Sequence, residues 1–156
     1  MKNKRVVIYW ILLIIWMIGI AIMSNQPASI SDSQSGGVIE MLSRIGIDMN
    51  NIFGQFANFI VRKCAHFLEY MILALLVSNV LKLYFNMKQV VIITIIFIFL
   101  YACSDEVHQL FVPGREGAIR DVIIDTCGGT ALVLIKLFVT HLKRSDIQNK
   151  DLTKLK

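Results

Sequence analysis

The sequence predicts an all-α integral membrane protein: a bundle of four transmembrane helices, with a short amphipathic helical segment between the first and second. Three observations predict it. Hydrophobic residues make up 56% of the 156 and charged residues only 17%, whereas a soluble domain carries roughly 25% charged residues. Four apolar runs approach the length of about 20 residues that a bilayer core demands. Basic residues collect at the two ends of the chain, as they do on cytoplasmic flanks.

The first run, Val6 to Met23, is uncharged. It is longer than the core of a cleaved signal peptide and lacks a good A-x-A-like site, so a retained helix is expected. Ser24 to Ser35 reads as a loop, from Pro27 and its Ser, Asn and Asp residues. From Gly36 to Ile60, apolar residues recur near helical spacing, with breaks expected at Gly46 and Asn50–Asn51. This is the amphipathic segment, either lying on the outer surface or buried against the bundle. The other three spans follow, with helices expected at about 6–23, 63–82, 89–110 and 118–141. A turn around Asn86 and a tight turn at Pro113–Gly114 separate them. Lys136 is expected to snorkel to the nearer interface. Residues 1–144 form one membrane domain in this reading, and 145–156 a polar, frayed cytoplasmic tail.

Placing both termini in the cytoplasm puts Lys2, Lys4, Arg5, Lys82, Lys88, Lys143, Arg144, Lys150, Lys154 and Lys156 on that side, with Lys136 at its boundary. Arg44, Arg62, Lys63, Arg115 and Arg120 fall outside. The asymmetry supports that orientation. A net charge of +5 carries no nucleic-acid signal, because no basic patch is interleaved with aromatics on a polar domain. Cys64, Cys103 and Cys127 are odd in number, lack C-x-x-C spacing and sit in or beside apolar runs. They read as packing residues rather than a disulfide or zinc framework.

With that topology the ionisable residues segregate to the outer ends of the helices. His66, Glu69 and Tyr70 share one face of the second helix at i, i+3 and i+4. Tyr101, Asp105, His108 and Gln109 share a face of the third. Asp121 and Asp125 share a face of the fourth, continued by Gly128. Asp105 and Asp125 lie about 5–12 Å inside their helix ends. An acid near mid-membrane costs roughly 2.5–3.5 kcal/mol, so such groups turn inward to a partner or a wet cavity.

The bland account is helix docking, with Arg62 or Lys63 neutralising Asp121, and Arg115 neutralising Asp105 or Glu106. The first functional account is a catalytic pocket. Carboxylates and histidine suit general acid–base work, and arginine grips phosphate through paired hydrogen bonds. His66, Glu69, Asp105, Glu106, Asp121 and Asp125 are the candidates for chemistry. Lys63, Tyr70, Gln109, Arg115 and Gln26 are the candidates for ligand binding. A divalent metal on Glu69, Asp105 and Asp125 is a further option, but no H-E-x-x-H spacing supports it and the sequence names no cofactor. The second functional account is a small transporter or binding protein without chemistry, which would need oligomerisation; Gly128, Gly129 and Ala131 allow close helix contact within or between chains. The oligomeric state stays open.

Five stretches make the chain resemble the VanZ-like family of bacterial membrane proteins. They are Ser24-Asn25-Gln26-Pro27; Arg62 to Tyr70, carrying K-x-x-H-F-x-E-Y; Tyr101 to Gln109, carrying D-E-x-x-Q; Phe111 to Arg115, carrying P-G-R; and Asp121 to Gly129, carrying D-x-x-x-D-x-x-G. The likeness runs from about Ser24 to Leu134, and Asn25 stands where a second serine is common. It implies a four-helix membrane domain and a link to low-level resistance against teicoplanin-type glycopeptides, which belongs to the founding member. It carries no settled molecular activity. The ligand expected at the pocket is an envelope molecule: a lipid-linked wall precursor, a phospholipid headgroup or a lipoglycopeptide.

Overall fold

The structure, a computed structural model, describes residues 2–154, with side chains placed for 4–143 and 145. The side chains of Lys2, Arg144, Lys150 and Lys154, and all of Lys156, lie outside the described residues. The elements are α1 (Lys2–Ser24), α2 (Ala28–Arg44), α3 (Met49–Phe53) with a 3₁₀ turn at Gly54–Phe56, α4 (Ala57–Leu81), α5 (Met87–Gln109) and α6 (Ile119–Lys154). Four helical stretches are long and apolar enough to cross a membrane: Lys4–Ser24, Met49–Leu81, Met87–Gln109 and Ile119–Lys143.

Local chemistry sets most of the ends. Asn86 and Gln89 form a reciprocal capping box that starts α5, each side chain accepting from the other's backbone N–H at 3.1–3.2 Å. Asp48 caps α3 by accepting from the N–H groups of both Asn50 and Asn51 at 3.1 Å. The break between α2 and α3 therefore falls at Gly46, whose φ of 91° suits a residue without Cβ, and not at Asn50–Asn51.

Three boundaries differ from the sequence expectation, one being that α6 continues to Lys154, past the expected end near 141 and through 145–154, expected as a frayed tail. The stretch Ser24–Ser35, expected as loop, is linker only over Asn25–Pro27 and is helical from Ala28. Ser31, Ser35 and Ile39 recur at i, i+4 and i+8 and are buried, so small polar residues supply the packed stripe of α2. Ile39 packs with Ala57 and Val61 of α4, while Val38 and Met41 remain exposed. The amphipathic segment is thus partly buried against the bundle. The second spanning helix starts at Ala57 instead of 63, because Arg62 and Lys63 turn to acids on neighbouring helices and need not end it.

Helix α4 is the hub, packing against α1, α2, α5 and α6. Tyr70, Leu73, Ala74 and Val77 of α4 meet Leu13 and Ile20 of α1, Ile98 and Ala102 of α5, and Val122 of α6 in the core. Close approach to α6 depends on glycine. A Cβ at Gly128 would lie 2.2 Å from the Phe67 carbonyl oxygen, and one at Gly129 2.8 Å from Ile98 Cγ2. Both glycines serve packing within the chain. Outward faces such as Ile8, Ile11, Ile15, Ile18 and Ile22 of α1 stay exposed, as lipid contact requires.

Lys136 docks on the end of α4. Its Nζ donates to Ser78 Oγ at 2.6 Å, to Asn79 Oδ1 at 3.0 Å and to the Leu75 carbonyl at 3.4 Å. The closing turns of α4 supply these acceptors. Cations suit a helix C-terminus, where carbonyls lack intrahelical partners.

Candidate functional site: a buried acid–base cluster beside two cavities

The end of the bundle opposite Lys136 gathers the polar residues. α4 contributes Arg62, Lys63, His66 and Glu69. α5 ends there with Asp105, Glu106 and Gln109, and α6 begins with Asp121 and Asp125. The Val112–Arg115 turn and the end of α1 close the cluster.

Its contacts are specific. Lys63 Nζ donates to Asp121 Oδ2 at 2.5 Å, both side chains being nearly buried. His66 Nδ1 lies 3.8 Å from Asp125 Oδ1. Gln109 Nε2 donates to Asp105 Oδ2 at 3.3 Å, and the Ala118 N–H donates to Glu106 Oε2 at 2.8 Å. Arg62 pairs with Asp32 of α2 at 2.8 Å. Lys63 is thus the residue that neutralises Asp121. Arg115 does not neutralise Asp105 or Glu106: it donates to the carbonyls of Gln26 at 3.1 Å and Met23 at 3.5 Å, the unsatisfied acceptors at the end of α1. Burial lowers the Arg115 pKa and Arg62 adds to that, while Asp105, Asp32 and Glu106 oppose it.

Two cavities adjoin at Arg62, His66 and Arg115, which line both. One, of about 270 Å³, has apolar walls from Ile20, Met23, Val38, Val61 and Ala65, and polar contributions that include Glu69 and Asp105. The other, of about 290 Å³, carries Lys63 and Arg120 besides the shared arginines, with Asp32, Glu116 and Asp121 among them.

Seven sequence candidates therefore line a cavity: Lys63, His66, Glu69, Asp105, Gln109, Arg115 and Asp121. Glu106, Asp125 and Tyr70 lie behind, with Asp125 and Tyr70 fully buried. Gln26 lines neither; its carbonyl holds Arg115 and its Oε1 is buried without a partner. The carboxylates that converge are Asp105, Glu106 and Asp125; Glu69, considered with Asp105 and Asp125 for a metal, is not in that cluster. Asp32 and Ser31 were missed as lining residues because their segment reads as loop; the i, i+4 recurrence of Ser31 and Ser35 was the available signal.

The family model described as VanZ/LLP1 matches residues 9–140. No curated protein and no solved structure matches.

Proposed function

Because the chain belongs to the VanZ/LLP1 family, we propose that it is a bacterial cytoplasmic-membrane protein that takes up an amphipathic cell-envelope molecule at the outer end of its bundle, both termini being cytoplasmic. The ligand class is a lipid carrying an anionic phosphate headgroup, such as a lipid-linked wall precursor or a phospholipid. A lipoglycopeptide drug has the same amphipathic design, which is how the protein would contribute to teicoplanin-type resistance.

The observation that supports this reading is the pairing of cavities. One places four cations, Arg62, Lys63, Arg115 and Arg120, against three carboxylates. It shares a wall with a cavity whose exposed surface is mostly apolar, with Ile20, Met23, Val38, Val61 and Ala65 in its walls. Arginine suits bidentate phosphate binding, and the apolar neighbour suits the first carbons of a chain. His66 lines both spaces and Glu69 the apolar-walled one, where they would serve as the acid–base pair for converting bound lipid.

The test is titration of a polyprenyl phosphate into the full-length protein in nanodiscs, followed by native mass spectrometry. Arg120→Gln, at a largely exposed side chain, removes a cation without unfastening α1. A lost charged hydrogen bond is worth about 1.5–3 kcal/mol, so affinity should fall about tenfold or more. Unchanged affinity in both Arg120→Gln and Arg115→Gln would sink the reading. Glu69→Gln then separates chemistry from binding: a lipid product made by the wild type and lost in this variant marks an enzyme, whereas equal binding with no product marks a carrier.

A further inference from the structure

Asp105, Glu106 and Asp125 are all buried, and one carboxylate oxygen from each lies within 4.8 Å of the others. Three carboxyl groups withdrawn from water need protons or a counter-charge, since an unpaired buried charge costs several kcal/mol. Among the described residues, the only basic side chain within 4.0 Å of these carboxylates is His66, at 3.8 Å from Asp125. Lys63 is held by Asp121, Arg62 by Asp32, and Arg115 by the end of α1.

The free atoms point the same way. Both oxygens of Asp125, at 0% exposure, lack a hydrogen-bond partner, and so does Glu106 Oε1. The other Glu106 oxygen is fixed by the Ala118 N–H, and Asp105 is held by Gln109. These bonds orient the acids as outer partners orient metal ligands. A group outside the acid cluster is independent of them: the Tyr70 hydroxyl is wholly buried and without a partner, and Tyr70 sits in the core cluster with Ala102, one turn before Glu106, and Val122, one turn before Asp125.

We infer that Asp105, Glu106 and Asp125, with the Tyr70 hydroxyl beside them, hold one hard divalent cation between α4, α5 and α6. The donors are all oxygen, the preference of Mg²⁺, Ca²⁺ and Mn²⁺. Ligands about 2.0–2.6 Å from such an ion lie up to about 4–5 Å apart across it, which the spread of these oxygens matches. Two charges on the cation would balance most of the three on the acids, and the fit does not depend on which headgroup enters the cavities.

The test uses full-length protein stripped with a chelator, placed in zwitterionic nanodiscs without envelope lipids and equilibrated with Mn²⁺ alone. Bound metal is read by mass spectrometry and by loss of the free-ion paramagnetic resonance signal. One Mn²⁺ per chain above protein-free nanodiscs is expected, displaced by excess Mg²⁺ or Ca²⁺. Asp125→Asn and Glu106→Gln should each weaken binding at least tenfold, and the distant Glu40→Gln should leave it unchanged. If a variant does not fold, the wild-type stoichiometry decides alone. Wild-type protein holding no more Mn²⁺ than protein-free nanodiscs overturns the inference, as does undiminished binding in both folded variants. Neither result bears on lipid-phosphate affinity, which is measured without the metal.

Discussion

Gly128→Ala is expected to lower the thermal unfolding midpoint in detergent more than an added methyl at any other glycine of the chain. The new Cβ would stand 2.2 Å from the Phe67 carbonyl oxygen and 3.0 Å from its carbon. Those atoms belong to the α4 backbone, so no side chain can swing away. Relief requires α4 and α6 to part, and that pair shares the most extensive contact in the bundle. Overpacking costs typically about 1–3 kcal/mol, and a backbone obstacle places this change at the top of that range. The same separation would draw His66 from Asp125, so metal and lipid binding should decline together. Gly36→Ala is the control. It lies in α2 with open space around the added carbon, and alanine there should gain about 0.5–1 kcal/mol. Equal midpoints for Gly128→Ala and the wild type would show that α6 does not seat on α4 as described.

Lys63→Met should be comparably damaging for an electrostatic reason. The ammonium is the close partner of Asp121, and their side chains are 13% and 10% exposed. Methionine keeps much of the volume and strands the carboxylate. Removing one member of a buried pair costs about 3–5 kcal/mol. Arg120 Nε, 3.5 Å from the other Asp121 oxygen, offsets part of this, so the lower half of the range is expected. Asp121→Asn added to Lys63→Met should recover most of the loss, because a neutral amide leaves no uncompensated charge. Arg44→Met supplies the contrast: its bond to Glu40 is on an exposed surface, where such pairs are worth at most about 1 kcal/mol. Unfolding midpoints of the three variants against the wild type check this, and a double variant no better than Lys63→Met would refute the pairing.

The spans were legible because lipid imposes a simple rule: long uncharged runs such as Val6 to Met23 have few other uses. The polar cluster was legible from spacing. His66 and Glu69, or Asp121 and Asp125, fall on one helical face, and an ionisable group on an otherwise apolar helix must turn inward. Three features were not legible, each because a partner lies far along the chain. The buried stripe of α2 consists of serines, whose composition imitates a loop; only α4 makes it a packing surface. Arg115 seeks carbonyls at the end of α1, and no property of its own neighbourhood distinguishes a backbone target from an acidic one. Glu106 and Glu69 are equally acidic by sequence, and only the docking of α6 selects the one that meets Asp105 and Asp125.

The attachments of α1 have a consequence for biosynthesis. Trp16 bonds the Glu69 carbonyl at 3.1 Å, Tyr101 bonds the Met17 carbonyl at 2.9 Å, and Arg115 holds Gln26. Every one of these partners is made after the helix it secures. α1 therefore sits in the bilayer without these bonds until α4 brings Glu69, and it is fully fastened only once Arg115 follows. A nascent chain arrested before α4 emerges should leave Leu13 and Ile20, buried in the finished bundle, open to crosslinking by lipids and insertion factors, and one whose Arg115 has emerged should not.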